Sequence, residues 1–245
     1  MIQAEGLYKS FGPKRAVEGV SFVARDGEIT GLLGPNGAGK TTTLRMLYTL
    51  MQPDAGRVLV DGIDAQTQAV EVRRRLGVLP DARGLYRRLT ARENIQYYAA
   101  LQGLSAEQAR TRIDLLIRTL TMQDIIERRT EGFSQGERLK TAIARALVHD
   151  PGNVVLDEPT NGLDVMATRS LREFLRQLKS EGRCVLFSTH IMQEVAALCD
   201  RVVIIAQGRV VADGSAEELK AQAREQSLEE AFMKIIGAAA VGGLA

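Results

Sequence analysis

The chain has 245 residues, of which 45% are hydrophobic and 25% are charged. This composition excludes a disordered chain and is typical of one large globular domain, or of one domain with a substantial insertion. The 32 Lys and Arg residues nearly balance the 30 Asp and Glu residues, so the net charge of +2 provides no broad field for binding nucleic acid or an anionic membrane. We interpret the arginine clusters at 73–75 and at Arg83, Arg87 and Arg88 as solvated surface.

The N-terminal sequence, MIQAEGLYKSFG, lacks the apolar core of a signal peptide. The longest aliphatic strand-like run, residues 202–206, is too short to span a bilayer, so we expect a soluble chain. Cys184 and Cys199 form no CxxC pair and have no histidine cluster beside them. We therefore expect buried, reduced thiols and no disulfide or metal site at these cysteines.

Apolar runs and turn residues predict the elements of the first half of the chain. Strands are predicted near residues 2–7, 17–24, 29–33, 58–60 and 76–79, with a helix over 40–50. From about residue 90 to residue 149 only helical patterns occur, which predicts a helical subdomain inserted into an α/β core.

The strand and helix alternation resumes after residue 150. Strands are predicted at 154–156, 184–188, 202–205 and 209–212, with helices at 165–179 and 192–198. Continuous apolar strands between helices indicate a mostly parallel sheet that is covered on both faces. No internal repeat occurs, so two fused copies of a domain are excluded. The small residues GAAAVGGLA at 237–245 predict a flexible tail.

The sequence GPNGAGKT fits GxxxxGK[ST], follows the apolar run ITGLL and precedes the helical pattern TTTLRML. In such a loop, glycines let backbone N–H groups face an anion, and the following helix adds its positive end. Lys40 would reach the outer phosphates of a nucleotide, and the Thr41 hydroxyl would hold Mg²⁺. The predicted phosphate-binding residues are Gly34, Pro35, Asn36, Gly37, Ala38, Gly39, Lys40, Thr41 and Thr42.

The sequence VVLDEP provides the acidic groups that a triphosphate site needs. An ionised Asp157 at the end of a buried strand is costly without a cation, and Mg²⁺ is the cation that we expect there. Glu158 would orient or deprotonate the attacking water. His190 follows the strand CVLFST, at the edge of the sheet where open α/β folds bind ligands, and is predicted to contact the γ-phosphate. His149 is interpreted as structural.

The sequence GFSQGERLKTAIARAL predicts a helix with a recognisable start. Ser134 and Glu137 have the spacing of a capping box, in which each side chain accepts a hydrogen bond from the backbone N–H of the other residue. Gly136 falls in the first turn, where glycine costs about 1 kcal/mol relative to alanine. The helix alone does not explain why glycine occurs at this position.

Four motifs in order, GPNGAGKT, FSQGE, VVLDEPTNGLD and STH, resemble the nucleotide-binding subunits of ABC transporters over nearly the whole chain. The resemblance implies an α/β fold with a P-loop NTPase (RecA-like) core, an antiparallel β subdomain and an inserted α-helical signature subdomain. It places the core at about 1–80 and 150–220, the helical subdomain at about 81–149, and the end of the ATPase domain at 236.

The resemblance also assigns residues to ATP. In this family two subunits pack head to tail, and each ATP lies between one phosphate loop and the partner's signature sequence. The matching signature residues are Ser134, Gln135, Gly136 and Glu137, with Gly136 keeping a side chain away from the γ-phosphate. Phe11 matches the aromatic that stacks on adenine. Residues 161–164, which end at Asp164, match a loop that communicates across the dimer, and His190 matches the switch histidine.

Two positions depart from the family pattern. Asp81 stands where a glutamine usually touches Mg²⁺ and the membrane subunit, and a carboxylate there could still reach the metal. Glu137 replaces the glutamine that usually ends the signature. Its negative charge would slow ATP-driven closure unless a cation compensates for it.

The stretches LPDARGLYRRLTARENI and SLEEAFMKI are most similar to ATPases of export-type ABC systems, and among them to the subunits of sodium-extruding pumps. This similarity implies ATP and Mg²⁺ as cofactors, a second copy and a separate permease as partners, and a peripheral position on the cytoplasmic face of the membrane. The loop 81–88 is the expected permease contact. Alternatives are export of a drug, lipid or polysaccharide, a soluble ABC ATPase of DNA repair or translation, and a P-loop small-molecule kinase.

Overall fold

The computed structural model describes residues 1–81 and 84–242. The strands are β1 (Ile2–Phe11), β2 (Lys14–Ala24), β3 (Ile29–Leu33), β4 (Ala55–Val60), β5 (Ile63–Asp64), β6 (Leu76–Leu79), β7 (Asn153–Asp157), β8 (Cys184–Thr189), β9 (Arg201–Ala206) and β10 (Arg209–Gly214). The helices are α1 (Lys40–Leu47), α2 (Ala69–Arg75), α3 (Ala91–Leu101), α4 (Ala106–Thr119), α5 (Gln135–Leu147), α6 (Val165–Ser180), α7 (Met192–Leu198), α8 (Ala216–Ala223) and α9 (Leu228–Gly242).

The strands form two sheets. A six-stranded sheet has the order β10-β9-β3-β8-β7-β6, and its strands pair in parallel except for the β9–β10 hairpin at one edge. A four-stranded antiparallel sheet has the order β2-β1-β4-β5. Helices α3, α4 and α5 lie between β6 and β7 in the chain. The α/β fold with an antiparallel sheet and an inserted helical segment is confirmed.

Both faces of the parallel sheet are buried, which is why its strands are apolar throughout. Leu156 and Phe187 pack in a cluster with the helical segment α3–α5 and with α6. Val155 and Leu186, the alternate residues of the same two strands, pack in a second cluster with α1 and the antiparallel sheet. Successive side chains of a strand point to opposite faces, so each strand serves both clusters.

The predicted bounds of β3, β6 and α7 agree with the structure, whereas other elements differ for local reasons. Strands β1 and β2 extend to a hairpin through Gly12, whose φ of 57° permits a tight turn. Helix α1 ends at Leu47 and not at residue 50, because Thr49 has a left-handed φ of 63°. Strand β5 and helices α2, α8 and α9 were not predicted.

The structure places residues 237–242, part of the predicted flexible tail, in a helix. These residues form the end of α9, and residues 243–245 lie outside the described residues. Small residues such as alanine favour a helix that is already nucleated, and α9 begins in the more varied sequence SLEEAFMKI. Near its start, Ala231 is fully buried.

Both cysteines are free thiols, and Cys184 is buried as expected, whereas Cys199 is only partly buried. Burial raises the pKa of the Cys184 thiol to about 12 and also raises that of the Cys199 thiol. Both thiols are therefore protonated and unreactive at neutral pH. Within the described ranges, no helix combines the length and apolarity needed to cross a bilayer.

Gly31, on the central strand β3, leaves room for Cys199. A Cβ added at Gly31 would lie 2.5 Å from Cys199 Sγ. We predict that Gly31→Ala lowers the free energy of unfolding by about 2 kcal/mol, because overpacking forces neighbouring atoms apart. Gly152→Ala, where an added Cβ meets nothing within 4 Å, is the matched control. Urea unfolding measures both.

The double variant Gly31→Ala/Cys199→Ala removes the crowded sulfur and tests the cause. Its loss of stability should be smaller than the sum of the two single losses, because the clash is a pairwise effect. Additive losses would show that Gly31 is required for another reason.

Candidate functional site

The carboxyl ends of three parallel strands meet at one edge of the large sheet. Strand β8 lies between β3 and β7, with Leu33 paired to Thr189 and Asp157 paired to Ser188. Parallel strands present the residues after their ends on the same side, where open α/β sheets bind ligands. The register therefore brings the phosphate loop, the acidic pair and His190 together.

Close backbone packing shapes the phosphate loop between β3 and α1. A Cβ at Gly34 would lie 2.2 Å from Ile205 O, and a Cβ at Gly39 would lie 2.5 Å from Ala16 O. Gly39 caps α1 with a φ of 106° and offers no side-chain acceptor to the N–H groups of the first turn. Those N–H groups and the positive end of the helix form a site suited to phosphate.

Lys40 begins α1 and is buried, with 6% of its surface exposed. Its ammonium Nζ donates to Gly34 O at 2.7 Å and to Pro35 O at 3.3 Å. Nζ also lies 3.5 Å from Glu158 Oε1. The lysine therefore links the phosphate loop to the acidic end of β7.

Asp157 is buried at the end of β7 with only part of its hydrogen-bonding capacity satisfied. Oδ1 accepts hydrogen bonds from Ser188 Oγ at 2.6 Å and from Thr41 Oγ1 at 3.3 Å, whereas Oδ2 has no partner among the described residues. Burial raises the pKa of Asp157, and the charges of Asp81 and Glu158 add to this shift. An unpaired, buried carboxylate oxygen beside a threonine hydroxyl is suited to a divalent cation.

Glu158 has an unusual backbone for a non-glycine residue, with a φ of 47°. Its N–H donates to Ser188 Oγ at 3.0 Å, and its carboxylate Oε2 lies 2.9 Å from His190 Nδ1. Such a conformation costs about 1 to 3 kcal/mol, and strained residues of this kind cluster at functional sites. The turn directs the Glu158 side chain away from Asp157 and toward His190.

The other histidine, His149, has different surroundings. His149 Nε2 lies 3.1 Å from Leu76 O, and burial lowers the pKa of the ring. This neutral, backbone-bonded histidine has the features of a structural residue, as the sequence indicated.

A cleft of about 430 Å³ contains most of the predicted nucleotide-binding residues. Its lining residues are Phe11, Lys14, Ala16, Asn36, Gly37, Ala38, Gly39, Lys40, Thr41, Thr42, Asp81, Glu158, Asn161 and His190. Phe11 is 49% exposed, so its ring is open to a ligand. Asp81 also lies at this cleft.

Three residues of the site, Ser188, Lys14 and Ala16, were not predicted from the sequence. Ser188 forms hydrogen bonds with both Asp157 and Glu158. The two polar residues that end the apolar run CVLFST could have indicated that this position belongs to the site. Lys14 and Ala16 come from the antiparallel sheet, and no local pattern in the sequence indicates that β2 reaches the phosphate loop.

The predicted capping box is present at the start of α5. Ser134 Oγ accepts from Glu137 N at 3.2 Å, and Glu137 Oε2 accepts from Ser134 N at 2.7 Å. A Cβ at Gly136 would meet only Ala167 Cβ, at an ordinary 3.6 Å. The fold of the single chain therefore does not require glycine at this position.

The signature residues lie outside the cleft of about 430 Å³, which we call the phosphate cleft. Ser134, Gly136 and Glu137 line a separate cavity of about 540 Å³ together with Asp164, whose Oδ1 caps α6 by accepting from Ala167 N at 2.7 Å. Gln135 lines a third cavity, of about 550 Å³, beside Asp81. No residue of 134–137 is among the described residues that line the phosphate cleft.

Residues 17–161 match the family model described as ABC transporter. The chain is 48% identical over 220 residues to the ABC transporter ATP-binding protein NatA of Bacillus subtilis (strain 168), and the match covers 89% of each chain. The chain belongs to the ATP-binding proteins of ABC transporters. Members of this family hydrolyse ATP, so this ABC protein is an ATPase subunit of a transporter.

Other comparisons agree with this family. The ABC protein is 40% identical to a Nod factor export ATP-binding protein I of Burkholderia orbicola (strain AU 1054), over 89% of this chain and 72% of that protein. A solved ATP-binding subunit of an ABC transporter is 31% identical, with a TM-score of 0.88 over 96% of this chain and 99% of that chain.

We predict that Asp157→Asn makes the ABC protein more resistant to unfolding at neutral pH in the absence of nucleotide. Burial raises the pKa of Asp157, so the folded state binds its proton more tightly than the unfolded state does. The native carboxylate therefore destabilises the fold above its folded pKa, and this penalty disappears as the pH falls below its unfolded pKa. Thermal unfolding at neutral pH should show a midpoint higher by a few degrees.

Ser188→Ala is the matched comparison for that variant. It leaves the Asp157 carboxylate in place and removes the hydrogen bonds that Ser188 Oγ makes with Asp157 Oδ1 and Glu158 N, so its midpoint should fall. An Asp157→Asn protein that melts below the native protein would contradict the assignment of a destabilising charge.

Proposed function

We propose that two copies of this ABC ATPase pack head to tail and close over ATP, and that closure drives export through a separate permease. The observation that carries the proposal is the separation of the phosphate cleft from the N-terminus of α5 within one chain. A second copy would place its Ser134 and Gly136 over a nucleotide bound in the cleft. Only the closed pair would make both sets of contacts, so ATP would shift the population toward it.

In the cleft, the chain would hold ATP along its length. The ring of Phe11 would stack on adenine, and the N–H groups of the phosphate loop would bind the phosphates. Lys40 would exchange its bonds to Gly34 O and Pro35 O for bonds to the outer phosphates. Asp164 lies at the start of α6, where the partner subunit would contact it.

The residues present fit Mg²⁺. Asp157, with its unpartnered Oδ2, and the hydroxyl of Thr41 would hold the ion, and Asp81 is the third proposed ligand. When bound, Mg²⁺ would neutralise charge on the phosphates of ATP.

Hydrolysis would depend on Glu158 and His190. The Glu158 carboxylate would orient the attacking water and accept its proton, because the strained backbone directs this side chain into the cleft. His190, 2.9 Å from Glu158 Oε2, would hold that carboxylate and contact the γ-phosphate. Loss of the γ-phosphate would then remove the contacts that keep the two copies closed.

The permease contact proposed for the loop 81–88 is supported by where that loop is attached. Thr130 N donates to Leu89 O at 3.0 Å, and Glu131 N donates to Arg87 O at 3.0 Å. These bonds join the loop to the segment that precedes Ser134. Binding to a permease would place the ATPase on the cytoplasmic face of the membrane. Residues 82 and 83, including the predicted Arg83, lie outside the described residues.

The dimer is tested by the molar mass of Glu158→Gln protein with and without Mg-ATP. The substitution should block hydrolysis and trap a pair of subunits, and adding Ser134→Arg should abolish the pairing. Ser105→Arg is the matched control, because Ser105 has the same capping box with Gln108 at the start of α4. Both arginine variants lose about 1 kcal/mol of capping energy, but only Ser134→Arg should prevent pairing.

Equal loss of pairing in the two arginine variants would assign the effect to helix stability. A Glu158→Gln protein that binds ATP and stays monomeric would contradict the shared site. Co-purification of nucleic acid, and not of a membrane protein, with this ATPase would favour a soluble ABC ATPase.

We further propose sodium ions as the exported cargo, on the basis of the sequence similarity to ATPases of sodium-extruding pumps. Membrane vesicles that contain the ATPase and its permease should move Na⁺ when ATP is added on the cytoplasmic side. Vesicles with the Glu158→Gln protein should show no ATP-dependent flux. Transport of a drug, lipid or polysaccharide without Na⁺ flux would overturn the sodium proposal and leave the export proposal standing.

A further inference from the structure

The acidic residue of the signature is engaged by an arginine nine positions earlier. Arg128 Nη1 donates to Glu137 Oε1 at 2.7 Å, while Glu137 Oε2 accepts from Ser134 N at 2.7 Å. The guanidinium carbon of Arg128 also lies 5.2 Å from the centroid of the Phe133 ring. Both oxygens of the carboxylate are therefore held, one by the helix start and one by a cation.

Glu137 carries a negative charge at neutral pH. The hydrogen bond from Ser134 N, together with the Ser134 hydroxyl and the Arg128 guanidinium, lowers the pKa of this carboxyl. An uncompensated negative charge in the first turn of α5 would repel a triphosphate that approaches the same turn. A glutamine at this position would bring no such repulsion.

We propose that Arg128 is a positioning residue that neutralises Glu137, so that the N-terminus of α5 can receive the triphosphate of ATP. The inference rests on the proposed shared site and adds a residue that neither the signature nor the phosphate loop contains. Arg128 acts through Glu137: it holds Oε1 and offsets its charge, which leaves Oε2 to order the Ser134 backbone.

The position of Arg128 makes this role separable from folding. Its backbone N–H donates to Ile125 O at 3.0 Å, and its carbonyl accepts from Ala91 N at 3.1 Å. The chain is thus fixed here by main-chain bonds that survive truncation of the side chain. The side chain itself is about half exposed, with 54% of its surface accessible.

The test is a double-mutant cycle on the full-length ATPase, with KM for ATP and kcat measured at low and high ionic strength. Arg128→Ala should raise KM about tenfold, a size typical of pairwise coupling. In the Glu137→Gln background, the same truncation should leave KM unchanged, because no charge remains to neutralise. Arg129→Ala, the neighbouring exposed arginine, is the matched control and should leave KM and kcat unchanged.

Two further readouts separate charge from packing. Arg128→Lys keeps the charge but loses the planar contact with Phe133, and it should retain most of the affinity for ATP. High salt should narrow the difference in KM between Arg128→Ala and the native protein, because it screens the Glu137 charge. If Arg128 had only a structural role, Arg128→Lys would not retain the affinity for ATP, and salt would not change the difference in KM.

The inference is overturned if Arg128→Ala raises KM equally in both backgrounds, since Arg128 would then act by stacking on Phe133. It is also overturned if Arg128→Lys is as defective as Arg128→Ala. A Glu158→Gln protein that pairs with ATP while the cycle shows no coupling would sink this inference alone. A Glu158→Gln protein that never pairs would overturn the inference together with the shared site.

Discussion

One serine hydroxyl organises the reactive edge of the sheet. Ser188 Oγ donates to Asp157 Oδ1 and accepts from Glu158 N–H, so two consecutive acidic residues are fixed by one atom of the neighbouring strand. Because β7 and β8 are parallel and in register, this atom lies where the two strands end. The result is a pair of carboxylates with different surroundings: Asp157 faces Thr41, and Glu158 faces Lys40 and His190. Different surroundings let adjacent acids serve different roles.

The phosphate loop and the acidic pair could be predicted because each depends on a short stretch of chain. Glycine spacing between an apolar strand and a helix determines the loop, and the end of a buried strand determines where Asp157 lies. The capping box at Ser134 is equally local. The parallel sheet followed from continuous apolar strands separated by helices, because such strands need cover on both faces. These features required no knowledge of which distant residues meet.

Features that depend on distant contacts could not be predicted in the same way. The approach of Ala16 to Gly39 brings the antiparallel sheet against the phosphate loop, and the sequence around each residue contains no sign of the other. The sequence indicated that a cation would have to neutralise the charge of Glu137, but it did not indicate which residue provides that cation. The cation is Arg128, on the irregular segment before α5, where hydrophobic periodicity gives no guidance. Helix α9 was missed for the opposite reason, because the small residues in its second half are compatible with both helix and tail.

At Glu158, the residue that would best stabilise the backbone differs from the residue that the proposed reaction needs. A left-handed conformation with a φ of 47° suits glycine or asparagine better than glutamate, so the fold would gain from replacing this side chain. The cleft position of the carboxylate is what opposes that replacement. Under the catalytic role that we propose for Glu158, a laboratory selection for thermostable versions of this protein would be drawn to position 158, and its most stable products would include inactive ones. To retain active proteins, a selection for thermostability would also have to require ATP hydrolysis.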